Sequence, residues 1–306
     1  MKAIVYLKYG PPDVLHFAEV DKPIPKDNEV LIKVHATSVT IGDVIMRSGK
    51  HPTSKFQTLM LRLMMGIKKP KRPILGMELD GEIEEIGNDV KRFKKGDQIF
   101  ASTEMKFGAY AEYKCLPEDR ILTLKPSNLK LEEAAAGYAS GGITASTVLK
   151  KANIQNGQKV LIYGASGSVG SFGVQIAKHF GAEVTGVCGP SNLELVKSLG
   201  ADNVIDYTKE DFTQNHEIYD VIFDAVAKLS RSHGKKVLKK GGTYLNVIRD
   251  SPSKLKTEDL IFIRELIESG DLTSAIDRTY SWEEIVEAHK YVEKGHKKGN
   301  VLITVG

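Results

Sequence analysis

No stretch limits the possible folds of this chain more than residues 159–170. An apolar run, Lys159 to Tyr163, breaks at Gly164; Ala165, Ser166, Gly167, Ser168, Val169 and Gly170 follow, and then an amphipathic pattern of Val174, Ile176, Ala177 and Phe180. A short apolar run closed by glycine reads as a buried strand, and the pattern after it as a helix. Ala165 to Gly170 is an A-x-G-x-x-G variant of the turn that grips the pyrophosphate of a dinucleotide. In that reading Gly167 lets the backbone approach the phosphates, and Gly170 lets helix and strand pack closely. The N–H groups of the helix start supply the anion site.

The second strand distinguishes the two nicotinamide dinucleotides. An NAD site places Asp or Glu at the end of that strand, against the ribose hydroxyls. Here the strand Glu183 to Cys188 has its carboxylate at its start, and Gly189, Pro190, Ser191 and Asn192 occupy its end. A dianionic 2′-phosphate requires that no carboxylate stand there, so NADP(H) is the expected cofactor. Ser191 and Asn192 are its expected hydrogen-bond donors, and Lys197 adds charge. Ser191 is alternatively the N-cap of the next helix.

From about Pro126 onward, helix-length segments (131–138, 142–151, 169–180, 192–199) alternate with short apolar strands, the pattern of a parallel sheet with crossover helices. A final helix over 282–294 precedes a strand over 301–305. Before Pro126 the chain reads as many short strands (2–7, 15–19, 29–39, 79–86, 98–101, 109–115, 121–124) separated by turn residues. Two domains are expected, because 306 residues exceed the usual reach of one core. Residues 55–72 interrupt the strands with an apolar, methionine-rich run between basic patches; it reads as a helix packed on the barrel or as a lid over a substrate mouth. The net charge of +4 is too small to argue for nucleic acid. Two cysteines, Cys115 and Cys188, make neither a disulfide framework nor a four-thiolate zinc site, which suits a reducing, cytoplasmic setting. Neither a signal peptide nor a membrane span is expected.

These segments resemble the zinc-independent quinone oxidoreductase and enone reductase branch of the medium-chain dehydrogenase/reductases. The likeness is carried by residues 159–206, by Gly76 to Ile83 (G-x-E-x-x-G-x-V in the family), by Phe93 to Phe100 (F-K-x-G-D-x-V-F), by Phe107 to Tyr113 (G-x-Y-A-E-Y) and by Gly295 to Val305. It implies an α/β chain: a GroES-like β-barrel substrate domain over 1–125, completed by 272–306, and a Rossmann doubly wound parallel-sheet domain over 126–271. It implies an active site in the cleft between them. It sets Tyr207 beside the adenosine, where an aromatic packed on the strand end is the plainer alternative, and Thr144 near the phosphates or ribose.

The resemblance also bears on the chemistry. Zinc-dependent relatives carry a Cys in the turn that is here Ser38 to Asp43, a His where this chain has Met77, and a third ligand near residues 139–142, where neither Cys nor His stands. No metal is therefore expected. Without that Lewis acid, plain alcohol oxidation is disfavoured, and the implied reaction is NADPH-dependent hydride transfer to a small-molecule quinone or α,β-unsaturated carbonyl. Thr40, Asp43 and Tyr138 are the candidate catalytic residues. Asp43 reads more naturally as a structural acceptor paired with Arg47, His51 as a proton donor or a solvated loop residue, and water as an alternative proton source. A zinc-free alcohol or aldehyde oxidoreductase and a non-catalytic NADPH sensor are the competing readings. The stretch around 248–257 is shorter than in many relatives and weakens the expectation of the family's homodimer.

Overall fold

The computed structural model describes residues 1–51, 54–214 and 217–306, which form two compact units, 1–140 with 276–306 and 141–275. In chain order the first unit contains β1 (Lys2–Val5), β2 (His16–Glu19), β3 (Glu29–Ser38), α1 (Ile41–Ser48), α2 (Lys55–Met65), β4 (Glu78–Ile86), β5 (Gln98–Ser102), β6 (Tyr113–Pro117) and β7 (Leu122–Leu124). The second contains α3 (Ile143–Leu149), β8 (Lys159–Tyr163), α4 (Ser168–His179), β9 (Glu183–Cys188), α5 (Leu193–Ser198), β10 (Asn203–Asp206), β11 (Tyr219–Asp224), α6 (Arg231–Gly234), β12 (Leu238–Asn246) and α7 (Thr257–Glu268). The chain then returns to the first unit with β13 (Ile276–Ser281), α8 (Ile285–Glu293) and β14 (Asn300–Thr304).

The first unit is built on one sheet in the order β13-β14-β3-β4-β5-β7, with β6 also paired to β3 and the β1–β2 hairpin as a separate ribbon. β3 is its spine: ten residues long, it pairs along its length with β4, over Glu29–Lys33 with β6 and over Ala36–Ser38 with β14. One core lies among Val30, Ile32, Val34, Leu79, Ile83 and Ile99. Another gathers Tyr6, Leu75, Tyr110, Trp282 and Ile303.

The second unit carries five parallel strands in the order β10-β9-β8-β11-β12. This is the Rossmann arrangement, with the reversal of strand order between β8 and β11. β8 is apolar nearly throughout because it is central and covered on both faces. Among the described residues, no helix is long and apolar enough to cross a membrane.

Several expectations shift. The units divide at 140/141 and 275/276 instead of 125/126 and 271/272. Residues 126–140 stay with the first unit through Ala135 N–H on the Asp80 carboxylate (3.0 Å) and Ser140 Oγ on Glu78 (2.9 Å). Thr273 N–H on Gln175 Oε1 (2.8 Å) holds the other boundary inside the second. The helix read over 131–138 is only a 3-10 turn, Glu132–Ala135, followed by a π-helical turn, Tyr138–Gly142. Gly137, at φ +85°, breaks a regular helix there. The strand read over 109–115 forms at Tyr113–Pro117. The turn read at 38–43 opens α1, and α7 and β13 were not anticipated.

Candidate cofactor and active site

In the second unit the parallel strands end on one edge, and β8 delivers the glycine turn there, beside the loops that follow β9 and β11. Gly164 adopts φ +81°, and a Cβ on it would strike Val226. Its N–H and that of Ala165 bond to Val187 O at 2.9 and 3.0 Å, which ties the turn to the neighbouring strand end. A Cβ on Gly170 would lie 2.1 Å from Gly164 O, so only glycine allows α4 to start this close to β8. Gly167 differs: a Cβ there would meet Gly164 O at 3.5 Å and no other neighbour. The turn is thus closed below, at Gly170, and open above Gly167. Ala165 is buried, while Ser166, Gly167, Ser168 and Val169 are half-buried. An open, glycine-lined helix N-terminus is a fitting cradle for a diphosphate.

The end of β9 joins this turn, since Asn192 Nδ2 donates to Ser166 Oγ at 3.1 Å. Ser191 is exposed and bonds to Asn192 Oδ1 at 3.3 Å. The residue at the cap of α5 is Asn192, not Ser191, and it makes no side-chain cap bond. Glu183 is exposed at the far end of the strand. Tyr207 is 56% exposed rather than packed in the core, and its ring lies over Gly189, 3.6 Å from where a Cβ would be. Lys197 is exposed in the last turn of α5, and no hydrogen bond joins it to the glycine turn. Thr144 is half-buried in the first turn of α3. The preceding Gly141 packs so closely on α4 that a Cβ would come within 2.4 Å of Ser168 Oγ.

Asp224, which no sequence motif marks, ends β11. Its carboxylate accepts from the N–H groups of Val226, Lys228 and Leu229 and from Asn246 Nδ2, and so shapes the third loop of this edge.

In the first unit, Thr40 and Asp43 form a capping box. Thr40 Oγ1 donates to Asp43 Oδ2 at 2.6 Å and accepts from Asp43 N–H at 3.1 Å, while Thr40 N–H bonds Oδ2 at 3.0 Å. Asp43 Oδ1 takes Gly76 N–H at 2.9 Å, pinning the start of α1 to the residues before β4. Asp43 is wholly buried, and burial pushes its carboxyl up to about 6 against these hydrogen bonds. The expected Asp43–Arg47 pair is not formed. Arg47 lies on the far end of α1, fully buried, and pairs with Glu293 at 3.0 Å. Tyr138 is 2% exposed, and His51 contributes its backbone N–H to Thr58 Oγ1 at 2.9 Å.

A second polar cluster lies beside the capping box. Ser38 Oγ and Ser140 Oγ both donate to Glu78 Oε1, and Glu78 Oε2 is buried with no partner. Burial pushes Glu78 up to about 7, opposed by the two serines and reinforced by the nearby Asp43 charge. Burial lowers Lys297 to about 8, opposed by the charges of Asp277 and then Glu78. Tyr110 bridges Ser38 O (3.3 Å) and His289 Nε2 (3.2 Å), and burial holds His289 down to about 3, hence neutral. Burial thus favours the protonated form of Glu78. Ser38 and Ser140 lie 40 and 62 residues from Glu78 in the chain, so no local motif announces the cluster.

Two classes of fold and site meet in this chain: a parallel dinucleotide-binding sheet and a sheet-rich unit with a buried acid. A five-stranded parallel sheet of this order with a glycine turn after its central strand is the frame of a dinucleotide-binding protein. Residues 26–127 match the alcohol dehydrogenase GroES-like domain and residues 168–288 the zinc-binding dehydrogenase family. The 2-methylene-furan-3-one reductase of Solanum lycopersicum is 33% identical over 99% of this chain and 79% of its own. The chloroplastic NADPH-dependent alkenal/one oxidoreductase of Arabidopsis thaliana is 32% identical, with the same coverage of both. The solved quinone oxidoreductase of Coxiella burnetii superposes with a TM-score of 0.84 at 27% identity, covering 100% of this chain and 99% of that one. The chain belongs to the medium-chain dehydrogenase/reductases, in the branch of the quinone oxidoreductases and enone reductases, and is an enzyme.

The zinc of the family description does not fit the donors present. Neither the turn over residues 38–43 nor residues 139–142 contain Cys or His, and Met77 stands at the remaining ligand position, so hydroxyls and a thioether stand in place of thiolate and imidazole. Among the described residues, no three His, Cys, Asp or Glu side chains converge on a point that could hold a metal ion.

Proposed function

We propose that the protein is an NADPH-dependent, zinc-independent reductase of quinones or α,β-unsaturated carbonyl compounds. The carrying observation is the turn from Gly164 to Gly170, open above Gly167 and joined through Ser166 to Asn192 at a strand end without a carboxylate. In this reading the backbone from Gly164 through Ala165, Ser166, Gly167, Ser168 and Val169 to Gly170 holds the diphosphate. Ser191 and Asn192 donate to the 2′-phosphate, Lys197 adds positive charge, Tyr207 flanks the adenine, and Thr144 contacts the ribose or phosphates. The bound cofactor supplies hydride. On the acceptor side, Thr40 and Asp43 fix the turn before α1, and Tyr138, at the start of the π-helical turn, is the third candidate. The lack of Cys and His in the turn over residues 38–43, at Met77 and over residues 139–142 supports reduction of an already electrophilic carbon, which needs positioning and hydrogen bonds more than a Lewis acid. The names of the tomato and Arabidopsis relatives support the same acceptor class.

The test is oxidation of NADPH and NADH across quinones, enones, aldehydes and alcohols, with and without a strong chelator. The reading requires turnover of quinones or enones, preference for NADPH by about tenfold or more, and indifference to chelation. Turnover confined to alcohols and aldehydes, or lost with the chelator, refutes it.

A further inference from the structure

Helix α2 presents its apolar side to solvent. Phe56, Leu59, Met60, Leu63 and Met64 recur at i, i+3, i+4, i+7 and i+8, one face of a helix, and they are between 42% and 69% exposed. Ile67, just beyond the helix, is 61% exposed. The opposite face is the one that packs: Met65 is buried, Leu61 lies against the core, and Arg62 stacks on Tyr9 and bonds Gly49 O. A protein surface seldom leaves so continuous an apolar stripe uncovered unless something binds it.

The charge around the stripe names the occupant. The chain's 43 Lys and Arg exceed its 39 Asp and Glu by four, yet residues 48–77 contain seven of the former and none of the latter, so the remainder is net acidic. Lys55 opens the helix, and Lys68, Lys69, Lys71 and Arg72 follow it, all exposed. A second copy of this chain would set these like charges against each other. Nucleic acid would have no use for the leucines and methionines. An apolar stripe with cations at both ends suits the boundary between acyl chains and anionic headgroups.

We propose that α2, with Ile67 and the basic residues 68–72, docks the protein on the surface of an anionic lipid bilayer without spanning it. The test uses the full chain and vesicles of phosphatidylcholine, alone or mixed with phosphatidylserine. Cosedimentation is expected to favour the anionic vesicles by about tenfold or more and to weaken in high salt. Leu59→Asp with Leu63→Asp should abolish it, and Lys68→Glu with Lys69→Glu should reduce it about tenfold, with the thermal melt of each variant confirming that it is folded. Three results overturn the proposal: no preference for anionic vesicles; binding that survives the double aspartate variant, which assigns it to the basic residues alone; or a dimer in light scattering that the double aspartate variant splits, which assigns the stripe to a second copy.

Discussion

At the scale of single residues, the two glycines of the turn separate folding from binding. Gly170→Ala puts a methyl against the Gly164 carbonyl and should lower stability by on the order of 2 kcal/mol. Gly167→Ala meets only an ordinary contact at a φ of −79° and should leave stability within about 0.5 kcal/mol. The same methyl fills the space above the turn, so the Kd for NADPH should rise about tenfold. Thermal melts and fluorescence titration of both variants check this, and equal losses of melting temperature would contradict it. Glu78 gives a pH signature. Because its folded value is raised to about 7, the unfolded chain releases a proton from about pH 4.5 that the folded chain keeps. Its contribution is present at acid pH and is lost as pH rises through that window. Asp43, raised to about 6, acts in the same direction. His289, lowered to about 3, acts oppositely, since the unfolded chain takes up its proton first as pH falls. Glu78→Gln isolates one contribution. Relative to the native chain it should gain about 2 kcal/mol between pH 5 and pH 7.5, read from urea denaturation at each pH; parallel behaviour of the two proteins would rule it out.

At the scale of elements, α1 depends on its first residue. Thr40→Ala removes the hydroxyl that bonds Asp43 in both directions and should cost about 1–2 kcal/mol. Thr40→Ser, which keeps the hydroxyl, should melt close to the native chain, and a serine variant as unstable as alanine would refute the capping role. The sequence Thr40-x-x-Asp43 carries this cap openly, as a polar residue followed three positions on by a carboxylate. Elsewhere legibility followed burial. β8 and β9 begin and end where their apolar runs do, because a strand covered on both faces tolerates little else. The 3-10 and π turns before α3 were hidden, because the residues around them have helix-forming side chains and only the backbone at Gly137 departs. The phosphate turn was readable since its geometry demands glycine locally. The Glu78 cluster was not, because its serines become neighbours only when β3, β4 and the π turn meet.

At the scale of the whole molecule, the two units invite different responses to cofactor. NADPH at a hundredfold excess over its Kd should stabilise the unit of residues 141–275 by about 2.7 kcal/mol, moving its calorimetric transition up by about 10 °C. A transition indifferent to NADPH in the native chain, with Gly167→Ala as the control, would speak against a site in that unit. The connectivity carries a further consequence for biogenesis. β14 binds β3 at Ala36–Ser38, with the whole second unit intervening in the chain. During translation, then, the edge of β3 at Ala36–Ser38 waits unpaired until the second unit has been made, and only a strand that follows that unit seals it. A nascent chain arrested after the second unit would present that naked strand edge to the crowded cell, a target for chaperones and for aggregation.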